Sequence, residues 1–298
     1  MALDASSVQK QLDQGDTSAS TILKFLSLVK EQKLRKSEAV AKYGMLLLRS
    51  PANRANLGST VWNYYEQVCM AALDVFSMHD AEHCLTTLQK KFPNSSRVAR
   101  LQGMFYEAKG EWKKAETTYK ELLEKDPADT STHKRVIALL KGHEGYEAAI
   151  KELTKYLDTF QADSNAWAEL AECYLAVGLY KQAMFCYEEL VLASPLTPLY
   201  HVKLAEVLFT LGGADNIGKA RRYFSAAVEL SSGTNKRALY GICLCCQVLG
   251  KMKNAPMDEE TEALHRLASS ALVRAYGRDC PQHQPLVRRT FGLRTSAT

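Results

Sequence analysis

The apolar positions follow a helical period through most of the chain, and one stretch shows the unit from which the rest is built. Between Ser164 and Pro195 (SNAWAELAECYLAVGLYKQAMFCYEELVLASP), Trp167, Leu170, Ala171 and Tyr174 fall at i, i+3, i+4 and i+7, on one face of a helix. Gly178 interrupts that pattern. Ala183, Tyr187 and Leu190 then mark a second helical face, and Pro195, which lacks an amide donor, ends it. The spacing predicts a helix-turn-helix.

The unit recurs in register every 34 residues. Ala183 steps back to Ala149, Ala115 and Ala81, Tyr187 to Leu153, Tyr119 and Leu85, and Pro195 to Gln161, Pro127 and Pro93. Forward, Trp167 and Tyr174 become His201 and Leu208, and a three-residue insertion around Gly212 and Gly213 brings Ala220 and Phe224 back into register. This is the period of tetratricopeptide repeats. The expected fold is all-α: a tetratricopeptide-repeat superhelix, a helix-turn-helix solenoid, with helical N- and C-terminal caps. Five units span 59–232. The recurring alanine allows two backbones to approach where helices cross, and Gly103, Ala171 and Ala205 play the same part on the first helices. Gln102 and Ile137 depart from the pattern, so the second and third units are expected to pack less regularly.

The ends carry less signal. Residues 1–16 show no period and read as loose; helices over 17–33 (Ile22, Phe25, Leu26, Val29) and 37–49, the latter capped by Ser37, make 1–58 a capping segment with a linker at 50–58. Ala238, Gly241, Ile242 and Cys245 begin an incomplete sixth unit. Asn254, Ala255 and Pro256 interrupt it, and a last helix from Met257 to about Tyr276 closes the segment 233–276. The remainder, 277–298, holds two prolines with Arg288, Arg289 and Arg294, and reads as a disordered tail.

Composition narrows the function. The 298 residues are 46% hydrophobic with a formal net charge of +5. Nine Lys/Arg face five Asp/Glu over 1–58 and eight face five over 251–298, while the repeats between are almost balanced. A nucleic-acid domain would instead concentrate Lys and Arg on one face, so nucleic acid is not an expected partner. Seven of the eight cysteines fall within helical patterns, as small hydrophobes do, which fits a reducing compartment. No signal peptide is apparent, and the longest nearly uncharged run, Ala238 to Gly250, is short of the ~20 residues that span a bilayer. His79 and His83 share a helix face beside Cys84, yet no further ligand stands at zinc spacing, so they read as solvent-facing. Asn94, Ser95 and Ser96 match a glycosylation sequon but read as a turn. Phosphate loops and nucleophile elbows are missing from the sequence. No catalytic residue, cofactor or metal is expected.

In such a solenoid the binding surface is the concave wall, lined by outward positions of the first helices. That register selects Arg97, Arg100, Met104, Lys134, Asn165, Glu172 and Glu206, which run from basic to acidic and suit a protein segment with a matching charge pattern.

Several stretches resemble subunit 2 of the endoplasmic-reticulum membrane protein complex. They are VWNYYEQVCMAALD (61–74), FPNSSRVARLQGM (92–104), CYEELVLASP (186–195), AEVLFTLGG (205–213) and ARRYFSAAVEL (220–230). The resemblance covers roughly 60–250 and includes positions outside the generic repeat, such as Gly213. It implies a non-catalytic scaffold on the cytosolic face of the endoplasmic reticulum, joined to the membrane mainly through its partners. Those partners would be cytosolic segments of the complex's membrane subunits and a small globular cytosolic subunit, and the assembly would insert tail-anchored and multi-pass proteins. A tetratricopeptide chaperone adaptor is the alternative, but position nine of the inner helices holds Met70, Met104, Ala138, Glu172 and Glu206, not the Asn of a carboxylate clamp. A prenyltransferase-like subunit would need a second chain for its metal and base.

Overall fold

The computed structural model describes residues 4–252 and 259–291, which form two compact units meeting between His143 and Glu144. In the first unit, α1 (Ala5–Asp13), α2 (Ala19–Glu31), α3 (Ser37–Arg49) and α4 (Pro51–Leu57) precede the repeat hairpins α5 (Val61–Asp74) with α6 (Met78–Lys91) and α7 (Ser96–Ala108) with α8 (Trp112–Lys125). It ends with α9 (Thr130–His143). The second unit runs α10 (Tyr146–Thr159), α11 (Ser164–Ala176), α12 (Tyr180–Ala193), α13 (Pro198–Leu211), α14 (Ala214–Leu230), α15 (Lys236–Met252), α16 (Glu259–Asp279) and α17 (Gln284–Thr290). The boundary separates α9 from α10, the two helices read as one repeat; there Ile137 stands where Gly103, Ala171 and Ala205 stand in other first helices.

The repeat period is visible in the helix starts. Second helices begin at Met78, Trp112, Tyr146, Tyr180 and Ala214, each 34 residues after the last. Ala81, Ala115, Ala149, Ala183 and Ala220 have no accessible surface, nor do Ala171 and Ala205. The three-residue insertion lengthens α14 to 17 residues against 14 in α12, adding about one turn at its start after Gly212 and Gly213. Turns between paired helices use a left-handed residue: Gly110 (φ 75°), Gly178 (φ 77°) and Gly212 (φ 72°), with Phe76 (φ 56°) in the same register.

Residues 5–13 and 277–291 are more ordered than their sequence suggests. Residues 5–13, read as loose, form α1, whose Ala5, Val8 and Leu12 are buried in one cluster with Ile22, Phe25 and Leu26. Tyr43 donates to Asp13 at 2.6 Å, and Lys36 donates to Gln9 at 2.7 Å. Neighbouring helices thus stabilise a segment with three apolar residues and no side-chain cap. Ser37 does not cap α3; Lys36 occupies that position, and the Ser37 hydroxyl donates to Asp74 at 2.6 Å. The 50–58 linker contains α4, with Ser50 as its cap and Pro51 in its first turn.

At the other end, 277–291 departs from a disordered tail. Helix α16 runs to Asp279, and α17 folds back so that Val287 and Phe291 are buried, with Phe291 5.3 Å from the Tyr240 ring. Gln284 donates to the Val273 carbonyl at 3.2 Å. The interruption expected at 254–256, the start of the last helix at 257 and the stretch 292–298 lie outside the described residues.

Candidate functional site

The residues picked from the concave register belong to the expected helices, but most of their charges are used within the chain. In the first unit Arg97 on α7 forms a two-pronged ion pair with Glu66 on α5, its Nε 3.1 Å from Oε1. Arg100 donates to Asp129 at 2.8 Å, and both side chains are about four-fifths buried. Asp129 also receives the Thr132 hydroxyl at 2.6 Å and the Ser131 amide at 3.0 Å, which starts α9. Burial would raise its carboxyl pKa, but the bonds to Thr132 and Ser131 and the Arg100 charge hold it below the ordinary value. Arg100 therefore fixes an inter-repeat corner. Lys134 is exposed on α9.

In the second unit Glu172 on α11 accepts from Tyr187 at 3.1 Å and from Lys203 on α13 at 2.8 Å. Glu206 on α13 is held by Arg237 on α15, with Nη2 2.9 Å from Oε2. The three pairs Glu66–Arg97, Glu172–Lys203 and Glu206–Arg237 share a separation of 31 residues and join successive first helices. A first-helix carboxylate is neutralised by the following first helix, so the basic-to-acidic gradient is largely internal charge pairing. Asn165 is exposed, and its amide donates to Asp163 at 3.1 Å. Trp167 and Tyr174 are half-buried and line an open cleft of about 520 Å³ with Leu157, Leu170 and Phe185, because α10 and α12 cover only part of their rings.

One of the open clefts of the first unit, about 400 Å³ in volume, lies near Met104. Met104, half-buried, and Met70, 39% exposed, line it with Leu34, Val40 and Ala71. Lys30, Lys33, Arg35 and Lys36 stand around it. Asp74 is the acidic lining residue; burial opposes its charge, but Arg35 at 2.9 Å and Ser37 at 2.6 Å keep its carboxyl pKa below the ordinary range. Flexible methionines that adapt to a partner, with cations around them, suit an acidic amphipathic polypeptide segment. Repeat register alone selects Met104 and misses the α2–α3 connection. The signal for it is the excess of basic residues over 1–58.

His79 and His83 are both exposed on α6, and among the described residues no three of His, Cys, Asp and Glu come together as metal ligands would. Cys69, Cys84, Cys173, Cys186, Cys243, Cys245 and Cys246 are buried thiols. Among the described residues no helix is long and apolar enough to cross a membrane.

Known proteins with this organisation are consistent. The sequence profile of the EMC2 TPR-like repeat domain matches residues 80–213. ER membrane protein complex subunit 2-A of Xenopus laevis is 37% identical over 249 residues, covering 83% of each chain. ER membrane protein complex subunit 2 of Dictyostelium discoideum is 32% identical over 210 residues, covering 70% of this chain and 65% of its own. TPR repeat protein oca3 of Schizosaccharomyces pombe is 37% identical over 191 residues, covering 63% and 67%. Among solved structures, the C-terminal part of a TPR repeat-containing protein from Cytophaga hutchinsonii superposes with a TM-score of 0.59 at 11% identity, covering 91% of this chain and 99% of that one, a likeness of fold.

Proposed function

Because the chain belongs to the family of ER membrane protein complex subunit 2, we propose that it is a non-catalytic scaffold subunit of such a complex at the cytosolic face of the endoplasmic reticulum. The observation that carries this is the 37% identity spread over 83% of both chains, which extends beyond the generic repeat. In this role the chain holds cytosolic segments of membrane subunits and a small globular cytosolic subunit. It thereby supports the insertion of tail-anchored and multi-pass proteins. The methionine-lined cleft of the first unit is the proposed seat for one such segment, its basic surround selecting an acidic amphipathic stretch.

Affinity purification of the tagged full chain from membranes in mild detergent tests the role. Recovery of several membrane proteins in constant proportion supports it, and recovery of soluble chaperones alone overturns it. Lys30→Glu with Lys33→Glu tests the seat, since both side chains are exposed and the fold should survive. The variant is expected to keep its melting curve and lose at least one membrane subunit; full retention of every partner refutes the seat while leaving the scaffold role standing.

A further inference from the structure

Nine of the fourteen described arginines are answered within the chain. Arg35, Arg49, Arg97, Arg100, Arg135, Arg237 and Arg278 each pair with a carboxylate, while Arg54 and Arg221 donate to a carbonyl and a hydroxyl. Five described arginines have no such partner among the described residues, and four of them, Arg266, Arg274, Arg288 and Arg289, lie on α16 and α17. Apart from Asp279 at its end, the acids of α16 sit in its first turn, at Glu259, Glu260 and Glu262. From 263 to 291 the one carboxylate is Asp279, already neutralised by Lys236 at 2.5 Å and Arg278 at 3.0 Å.

Each helix also holds a solitary leucine in water. Leu267 is 68% exposed and shares a face of α16 with Arg274, seven residues on; Leu286 is 64% exposed and shares a face of α17 with Arg289, three residues on. The opposite faces are buried, through Ala268, Leu272 and Val273 on α16 and Val287 on α17. Single leucines between guanidiniums on convex helix faces do not make a pocket for a protein side chain. They do match a phospholipid surface: the leucine enters the headgroup boundary while arginines bind phosphates bidentately.

We propose that the exposed faces of α16 and α17 dock directly on an anionic membrane surface, a contact made by this chain's own residues and additional to any made through partners. The test uses the isolated full chain, so its outcome does not depend on assembly into a complex. Co-sedimentation with vesicles of phosphatidylcholine, with and without phosphatidylserine, should show binding only when the anionic lipid is present and weakening as salt rises. Arg274→Glu with Arg289→Glu should lower partitioning at least about tenfold, and Leu286→Ser a few-fold with net charge unchanged, both with wild-type circular dichroism. Equal binding to neutral vesicles, or unchanged partitioning of the charge variant, overturns the proposal. So does capture of polyglutamate by a chain that ignores anionic vesicles, which would make this face a dock for acidic protein.

Discussion

Replacing Gly241 and Gly218 by alanine, one at a time, sets two opposing effects against each other within one helix pair. Alanine is better than glycine in a helix interior by about 1 kcal/mol, so propensity alone predicts stabilisation at both sites. Packing separates them. A Cβ at Gly241 on α15 would lie 2.5 Å from both Cε2 and Cζ of Phe224, against an ordinary contact of 3.4–4 Å. Phe224 is 3% exposed on α14 and cannot swing into solvent, so the helices must part by about 1 Å. Overpacking of that kind costs about 1–3 kcal/mol. We expect a cost near the upper end and, after the propensity gain, a net loss of about 1–2 kcal/mol. Gly218 on α14 has nothing within 4 Å of its would-be Cβ and should gain up to ~1 kcal/mol. At about 2–4 °C per kcal/mol for domains of this size, Gly241→Ala should lower the melting temperature by about 2–8 °C and Gly218→Ala raise it by a few degrees. Thermal denaturation followed at 222 nm by circular dichroism, checked by calorimetry, reads both. If the two variants shift together in the same direction, the close approach of α14 and α15 is not what makes glycine necessary at 241.

Two further outcomes follow from local chemistry. Phe76 holds the left-handed position that glycine fills at 110, 178 and 212, and its ring is 72% exposed; Phe76→Gly should therefore raise stability by about 0.5–1 kcal/mol, and a lowered urea midpoint would refute the strain. Burial pushes the Cys69, Cys84, Cys186, Cys243 and Cys245 thiols up to about 12 from 9, so the native chain at pH 9 should alkylate quickly only at half-buried Cys280; fast labelling of more than one thiol before denaturant is added would refute the packing. Because these folded values lie above the unfolded one, the thiols' contribution to stability is whole below about pH 9 and is lost as pH rises toward 12.

Periodicity by itself determined the repeat helices, since a 3.6-residue apolar period and a 34-residue recurrence are local properties that survive without knowledge of any partner helix. Ala183 and its equivalents, Gly103 and the insertion after Gly212 were legible in that way, while membership of the family rested on stretches such as 61–74 and 220–230 that resemble it, not on the period. Tertiary structure decided what periodicity cannot carry. Helix α1 has too few apolar residues to announce itself and folds because α2 and α3 complete its core; α17 is ordered by burying Val287 and Phe291. Charge behaved likewise. Register placed Arg97, Arg100, Glu172 and Glu206 at outward positions, but whether an outward charge is free depends on the next helix, and ion pairs reaching some thirty residues along the chain consumed them. The open surfaces were left instead to Met70 and Met104 among the lysines of the first unit, and to the arginines of α16 and α17. Only the three-dimensional arrangement separates them, because an unpaired cation and a paired one are the same letter in the sequence.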